Sequence, residues 1–201
     1  MEYKYSNGII KLPNMALTIL DKLALDFTSR IGCKYVIISG YVAILFGRSR
    51  NTEDIDIFIE DKGFQEFSKF YERILSDSKY YALNAEDATD AYDLMHSGSL
   101  RFAEADTFVP NFEIKFVKEE TDFYSLNHAL TVELGKDKKL RISPLELEIA
   151  YKLYLGSEKD FADARHIYIV FTDALDKSKL KEFLSELHIN KSTVKKILGD
   201  L

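Results

Sequence analysis

The chain of 201 residues has little cysteine: Cys33 is the single one, so no disulfide can form within one copy of the chain. Structural disulfides are typical of oxidising compartments, and their exclusion here favours a reducing, cytoplasmic location. Cys33 stands directly before a predicted strand, where a cysteine usually serves as a small buried apolar residue. We therefore assign it no chemistry.

Long hydrophobic runs are also missing. No segment approaches the roughly 20 apolar residues of a membrane-spanning helix, and residues 1–11 lack the apolar stretch of a secretory signal. Internal repeats and low-complexity tracts are absent as well. We expect a protein with no membrane partner. An apolar fraction of 46% and a charged fraction of 30% suit one packed domain, with or without a small helical appendage.

The chain has no excess of positive charge. Its formal net charge is −6, which argues against a broad electrostatic affinity for nucleic acid. Lysines gather near the C-terminus, but such a group is more often the solvated face of a helix than a binding patch. The four histidines lack the spacing of metal ligands, and we assign them no role.

The strongest signal that is present lies in residues 35–59. A β-branched strand ends at the Ser39-Gly40 pair, and an apolar helix then runs to about Phe46. A polar loop over residues 48–53 leads into a second strand, which begins at Asp54. The Ser-Gly turn places backbone N–H groups at a helix start, a position that favours anions.

The second strand alternates between acidic and apolar side chains. Asp54 and Asp56 share one face, because strand side chains alternate with period two, and they lie roughly 6–7 Å apart. Two such carboxylates repel each other, so a cation is expected between them. Magnesium suits this place, because it prefers hard oxygen ligands and accepts substrate phosphates in its shell.

This order of features resembles the nucleotidyltransferase superfamily, whose signature is a Gly-Ser or Gly-Gly turn followed by Asp-x-Asp. The resemblance implies an α/β (α+β) nucleotidyltransferase fold, in which a small mixed sheet is flanked by helices and followed by a helical C-terminal half. It also implies two Mg²⁺ ions, with Mn²⁺ as an alternative, held by Asp54 and Asp56. An NTP would be the substrate. Ser39, Gly40, Arg48, Arg50 and Thr52 are then candidate nucleotide-binding residues.

A third acid is expected on a neighbouring strand. The segment 112–117 alternates, with Glu113 and Lys115 on one face, and Glu113 fits the third metal-binding position of the superfamily. Glu104 and Asp106 are rival candidates. A plain surface pair of Glu113 and Lys115 is the alternative without function.

Helical and strand periodicity fills the rest of the chain. Further helices are predicted up to about residue 30 and over residues 62–75, 86–95, 122–130, 157–172, 178–187 and 192–201. Further strands are predicted over residues 81–83, 100–105, 112–117, 131–134 and 140–143. Ser143-Pro144 predicts another helix start, with Ser143 as the N-cap and Pro144 at the first position.

The C-terminal half sharpens the resemblance. A Ser-Pro-led helix that carries Lys152, followed by a helix opening with Lys159-Asp160-x-x-Asp163, resembles the abortive-infection (AbiEii-like) nucleotidyltransferase family, which includes toxins of toxin–antitoxin pairs. The resemblance spans residues 35–169. It implies that Lys152 contacts nucleotide phosphate and that Asp160 lies near the catalytic site. The predicted division is a nucleotidyltransferase core over residues 1–142 and a helical region over 143–201 that completes the cleft.

The chain departs from this family in two places. Ser39 stands where many members have glycine, and Ser157 stands where an arginine commonly precedes the Lys-Asp pair. The second departure removes one expected phosphate contact.

The function that follows is transfer of a nucleoside monophosphate from an NTP to an acceptor hydroxyl of an RNA end such as that of tRNA, a protein side chain or a small molecule. An antitoxin protein is an expected partner if the chain is a toxin. The rival hypothesis is a catalytically weak or inactive member that binds a nucleotide or a protein without turnover, which the departure at Ser157 favours.

Overall fold

The computed structural model describes residues 2–13 and 15–201. Over these residues the chain forms a mixed α/β structure, as the sequence predicts. Its helices within the described ranges are α1 (Ile19–Ile31), α2 (Gly40–Leu45), α3 (Phe64–Leu75), α4 (Ala88–Ser97), α5 (Glu120–Asn127), α6 (Leu145–Leu155), α7 (Glu158–Phe171), α8 (Lys177–Glu186) and α9 (Lys191–Leu198).

The strands form one mixed sheet, with nine strands in the described part of the chain. They are β1 (Lys4–Ser6), β2 (Ile9–Lys11), β3 (Tyr35–Ile38), β4 (Asp54–Ile59), β5 (Tyr80–Ala82), β6 (Leu100–Glu104), β7 (Asn111–Phe116), β8 (Leu130–Glu133) and β9 (Lys139–Ile142). Their order in the sheet is β1-β2-β8-β9-β3-β4-β7-β6-β5. The pairs β2–β8, β9–β3 and β4–β7 are parallel, and the others are antiparallel.

The central strand β4 shows why the sheet has two unlike faces. Ile55, Ile57 and Ile59 are buried on one face, and Asp54 and Asp56 are half-buried on the other. The isoleucine face belongs to the main hydrophobic core, which also contains the buried side chains of α1 and α3. Burial of each such side chain contributes roughly 1.5–3 kcal/mol relative to exposure, so this face fixes the register of β4.

An aromatic cluster anchors α1 on the core face. Phe27 of α1 stacks on Phe112 of β7, with ring centroids 3.7 Å apart and an interplanar angle of 8°. Thr18 and Asp21 form a capping box at the start of α1, and Gly32 ends the helix in the left-handed conformation. The cap and the apolar stripe together fix where α1 begins and which side it buries.

The acidic face of the sheet is covered by α5 and α6. Val36 and Leu126 form a small second core there, against which Ile38 and Phe58 pack. Helix α6 in turn packs against α7 and α8. The chain reaches α6 directly from β9, so the C-terminal helices are close to the acidic face. The division at residue 143 stays a prediction.

Several predicted boundaries are corrected. Helix α6 begins at Leu145 with Pro144 as its N-cap, so Ser143 does not cap it. Pro144 has ψ 135°, an extended value incompatible with the first helical position. Helix α5 begins at Glu120 rather than at residue 122, because Glu119 and Asp122 form a capping box. Strands β1 and β2 were not predicted, because three-residue strands carry little periodicity.

No helix in the described ranges is long and apolar enough to cross a membrane.

Candidate functional site

A cavity of about 420 Å³ opens between the acidic face of the sheet and helices α5 and α6. This volume lies within the range of small-molecule sites. Three of the predicted site residues line it: Ser39, Asp56 and Lys152. Its walls also include side chains to which the sequence assigns no role in the site: Lys115, Lys118, Ser125, Ser143, Glu148 and Tyr151.

Asp56 lines the sheet side of this cavity, and Glu113 lies next to Asp56 without lining the cavity. They are direct partners across the parallel β4–β7 pair, which places both carboxylates on the same face. The ammonium of Lys115 lies between them, 3.2 Å from Asp56 Oδ1 and 2.8 Å from Glu113 Oε1. Arg101 approaches the other oxygen of Glu113 at 3.2 Å. The sequence predicts a cation between Asp54 and Asp56; the structure instead places a side-chain ammonium between Asp56 and Glu113.

The electrostatics of the three groups follow from this contact. Burial raises the pKa of Asp56, Lys115 lowers it, and the charges of Asp54 and Glu113 raise it, with a net increase. For Glu113, burial raises the pKa, but the hydrogen bond and charge of Lys115, with smaller effects of Ser99 and Arg101, lower it overall. Desolvation lowers the pKa of Lys115, but its two acidic partners outweigh this effect and raise it overall.

Asp54 lies at the start of β4, two residues before Asp56 and on the same face of the sheet. Thr52 Oγ1 lies 3.2 Å from Asp54 Oδ1 and holds that carboxylate at the start of β4. The register partner of Asp54 is Asn111, whose side-chain oxygen is buried and has no hydrogen-bond partner in the described part of the chain. Hard oxygen donors therefore continue along this face beyond Asp56.

The residues present fit a divalent cation in part. Asp56 and Glu113 already bind one cation, the Lys115 ammonium, which stands where a metal ion would sit. No three histidine, cysteine, aspartate or glutamate side chains within residues 2–13 and 15–201 are arranged to hold a metal ion. Asp56 and Glu113 would thus be the primary ligands, and Asp54, one of whose oxygens contacts Thr52, would be the third acid.

The Ser39-Gly40 turn is strained. Ser39 has φ 66° and ψ −138°, a region that is populated mainly by glycine. This explains why glycine suits this position in the resembling family, and the departure at Ser39 is therefore costly. Gly40 leaves room for Arg50: a Cβ there would lie 2.0 Å from Arg50 Nη2 and would displace the end of that side chain. The absence of a Cβ lets the guanidinium of Arg50 lie across the turn.

The predicted cationic residues converge on one buried acid, Asp163. Arg48 Nε lies 3.5 Å from Asp163 Oδ1, and Arg50 Nη1 lies 3.1 Å from Oδ2. Lys152 Nζ lies 3.2 Å from the same Oδ2. Asp163 is fully buried. In this arrangement all three cations face a protein carboxylate, and the network joins the loop before β4 to helices α6 and α7.

Two further acids complete this network around Lys152. Its ammonium lies 3.8 Å from Glu148 Oε1 and 3.9 Å from Asp160 Oδ1. Burial raises the pKa of Glu148 to about 7, against the opposing effects of the Lys152 charge and a hydrogen bond from the Ser39 backbone N–H. Glu148 thus links the strained turn to α6. Ser157 caps α7 and donates to the Asp160 carboxylate.

The predicted site residues therefore fall into two groups. Asp54, Asp56 and Glu113 lie on the sheet face. Arg48, Arg50, Lys152 and Asp160 lie in the network around Asp163. Ser39 and Gly40 lie between the groups. The rival acids lie elsewhere: Glu104 pairs with Lys79, and Asp106 lies in the turn after β6.

Three residues that matter to this geometry have no predicted role in the site: Lys115, Glu148 and Asp163. Lys115 is expected from the sequence only as half of a surface pair. A signal existed for Asp163, since it shares a helix face with Asp160, three residues away. Glu148 precedes Lys152 by four residues on α6, a spacing typical of ion pairs, which could have indicated it.

Comparisons with known proteins place the fold. Neither a protein-family model nor a curated protein sequence matches the chain. Among solved structures, the chain is similar to an antigenic nucleotidyltransferase-like protein from Paracoccidioides brasiliensis, with 15% identity, 90% of each chain covered and a TM-score of 0.51. It is also similar to JHP933 from Helicobacter pylori, with 14% identity, 90% of this chain and 80% of that chain covered, and a TM-score of 0.46.

The first of these similarities shows a shared fold of the nucleotidyltransferase-like type. The fold class predicted from the sequence is thus confirmed. Substrate and activity are not conveyed by fold, because one fold carries many functions.

Proposed function

We propose that this protein is a divalent-cation-dependent nucleotidyltransferase that transfers a nucleoside monophosphate from an NTP to an acceptor hydroxyl. The acceptor oxygen bonds to the α-phosphorus, the bond between the α- and β-phosphates breaks, and pyrophosphate and the hydroxyl proton are released. One observation carries the proposal: Asp56 and Glu113 both contact one cation, the ammonium of Lys115, at the wall of a cavity of about 420 Å³. Paired carboxylates beside a cleft with nearby lysines are the equipment that phosphoryl-type transfer needs.

The cation would be Mg²⁺ or Mn²⁺, held by Asp56 and Glu113 with Asp54 joining them. When bound, it supplies charge stabilisation for the phosphates and for the attacking oxygen. The protein's own side chains contribute the rest. Although burial raises the pKa of Glu113, its contacts with Lys115 lower it overall, which favours the carboxylate form that binds a cation.

The cavity wall supplies groups for the phosphates and for positioning. Lys115 is the wall cation that we assign to the phosphates, because Lys118 donates to the His96 carbonyl, and Ser39, Ser125 and Ser143 are neutral donors. The hydroxyls of Ser125 and Ser143 are buried and 3.1 Å apart, which fixes them as a pair. Because phosphoryl transfer depends mainly on positioning and charge, such preorganised groups suffice for the proposed reaction.

Lys152, Arg48 and Arg50 have a different part in the proposal. Each contacts Asp163, so each would reach a phosphate only by exchanging that carboxylate for it. We assign them first the placement of the Ser39-Gly40 turn against α6 and α7. A phosphate contact by Lys152 and a role for Asp160, as the AbiEii-like resemblance implies, stay part of the proposal.

The finer biology rests on the same resemblance. We propose a toxin of a toxin–antitoxin pair, acting in the cytoplasm, with a tRNA end, a protein side chain or a small molecule as the acceptor. The single Cys33 supports a reducing compartment.

A second function is favoured by the network around Asp163. If those three cations stay bound to that carboxylate, the protein binds a nucleotide or a protein partner without turnover. Ser157, which caps α7 in place of an expected arginine, favours the same outcome.

Incubation with α-labelled NTPs, MgCl₂ or MnCl₂, total tRNA and cell lysate separates the two functions. Transfer predicts label on a macromolecule or a small acceptor, and loss of that label in folded Asp56→Asn. Glu158→Gln, an exposed change on α7, is the matched control and should keep transfer. Nucleotide binding without label in the wild type would support the non-catalytic function.

A further inference from the structure

The contact between Lys115 and the two acids is the starting point. Lys115 Nζ is within 3.2 Å of both Asp56 Oδ1 and Glu113 Oε1, at the place where the carboxylates face each other across β4 and β7. Both acids have small exposed fractions, 15% and 12% of their side chains. Without the ammonium, Glu113 would keep its contact with Arg101, and Asp56 would be left facing the cavity without a partner among the residues that the structure describes.

The same lysine is partly exposed to the cavity. Its side chain is 36% exposed and lines the cavity, so its ammonium can leave the acids by rotation about side-chain bonds alone. An ammonium is a compact charge on a flexible stem, whereas a divalent cation carries twice the charge. Both compete for the same two oxygens. One of them must be absent when the other is bound.

We propose that Lys115 is an exchangeable internal cation. It occupies the Asp56–Glu113 pair in the unliganded protein, leaves when a divalent cation binds there, and then contacts the phosphates of a nucleotide in the same cavity. The second part rests on the proposed function. The competition itself requires only the geometry of these three side chains.

The proposal predicts opposite effects on two ligands. Removal of the ammonium should strengthen binding of the divalent cation, because the cation no longer has to displace a competitor. It should weaken binding of the nucleotide, because one charge-assisted contact to phosphate is lost. A lysine with a merely structural role would weaken both, since its loss would disorder the site.

The first experiment is calorimetric titration of MnCl₂ alone into wild type, Lys115→Met and Lys118→Met. Lys118 is the matched control: it lines the same cavity but donates to the His96 carbonyl at 2.7 Å. We expect Mn²⁺ to bind Lys115→Met about tenfold more tightly, which corresponds to ~1.4 kcal/mol. Lys118→Met should stay within about twofold of the wild type, because its general charge effect is screened.

The second experiment is titration of ATP at saturating Mn²⁺. Here Lys115→Met should bind about tenfold more weakly than the wild type. Lys115→Gln replaces Lys115→Met if the latter does not fold, as judged by circular dichroism, and the same changes are expected of it.

If both Lys115 variants bind Mn²⁺ no more tightly than the wild type, the competition is overturned. It is also overturned if neither the wild type nor the variants bind Mn²⁺. Unchanged ATP affinity overturns the move to phosphate. If the labelling assay shows no transfer while Lys115→Met binds Mn²⁺ more tightly, the enzymatic function fails and the competition stands. If the wild type transfers label while the variants bind Mn²⁺ with unchanged affinity, the enzymatic function stands and the competition fails.

Discussion

Two charge networks adjoin the cavity, and they differ in how far water reaches them. On the sheet face, Lys115 bridges Asp56 and Glu113 with 36% of its side chain exposed. Between the helices, Lys152 contacts Asp163 with 2% of its side chain exposed, and Asp163 has none. Both networks alternate positive and negative charge, but they differ at the centre: Lys115 is partly exposed, whereas Lys152 and Asp163 are buried and only Arg48, at the edge, is 30% exposed.

This difference in exposure indicates which ion pairs can exchange a partner for a ligand. A buried ion pair that loses one partner leaves an uncompensated charge in a medium of low dielectric, which is strongly destabilising. When a partly exposed pair loses one partner, water hydrates the remaining charge, and the loss of stability is small. Ligand exchange is therefore expected on the sheet face. The network around Asp163 is expected to hold the turn, α6 and α7 in place.

The largest effect expected is that of Asp163→Asn. This change leaves Arg48, Arg50 and Lys152 without the carboxylate they share, so we expect a loss of about 3–5 kcal/mol in the free energy of unfolding. Urea denaturation measures it. Glu158→Gln on the same helix is the control, with an expected change below about 0.5 kcal/mol. A loss as small as that of the control would remove the distinction between the networks.

A somewhat smaller, pH-dependent effect is expected of Glu148→Gln. The folded protein raises the pKa of Glu148 to about 7, so the folded state holds a proton that the unfolded state releases from about pH 4.5 upward. Stability due to this group therefore falls as pH rises from about 4.5 to about 7 and is not recovered above that range.

Glutamine does not titrate. The free energy of unfolding of Glu148→Gln, relative to that of the wild type, should therefore increase between pH 5 and pH 8 by on the order of 3 kcal/mol. Denaturation of both proteins at several pH values measures the difference. A difference that is constant with pH would show that Glu148 has an ordinary pKa and that the buried network is better hydrated than its geometry indicates.

Between the two networks lies Ser39, and Ser39→Gly should stabilise the protein by about 1 kcal/mol. The change removes the cost of a side chain at φ 66° and ψ −138°, less the entropy that glycine adds to the unfolded chain. Ser49→Gly is the control: Ser49 is not among the residues with a positive φ, so this change should not stabilise the protein. A less stable Ser39→Gly would mean that the hydroxyl makes a contact worth more than the strain.

The smallest effect on stability is expected of Lys115→Met. Its contacts are partly solvated, so its removal should change the free energy of unfolding by no more than about 1 kcal/mol, measured by the same denaturation. The contrast with Asp163→Asn is the sharpest test of the comparison. A loss of several kcal/mol would place Lys115 with the structural charges and argue against its exchange.

Much of the fold was predictable because its signals are local. The alternation of β4, the Ser-Gly turn and the apolar stripe of α3 each depend on side-chain order within a few residues. Boundaries were less secure. Pro144 is an N-cap rather than the first helical residue, and β2 was not predictable because it is stabilised by pairing with β8, more than 100 residues away.

The residues of the candidate site likewise differ in whether a local pattern or a distant pairing determines their position. Asp54 and Asp56 were recognisable because two residues of strand put them on one face, whatever the rest of the chain does. The position of Glu113 opposite Asp56 depends on a parallel pairing that joins segments more than 50 residues apart. That Lys115 would reach both acids follows from this register, which the composition of neither strand encodes.

The sequence by itself determined the order of elements, the paired acids of β4 and the requirement for a cation beside them, since these follow from period and charge along a short stretch of chain. Only the tertiary structure decided which cation that is, and which acid receives Arg48, Arg50 and Lys152. The reason is that charge pairing is chosen by distance and by access of water. Both are set when β7 pairs with β4 and when α7 brings Asp163 under the loop that precedes β4.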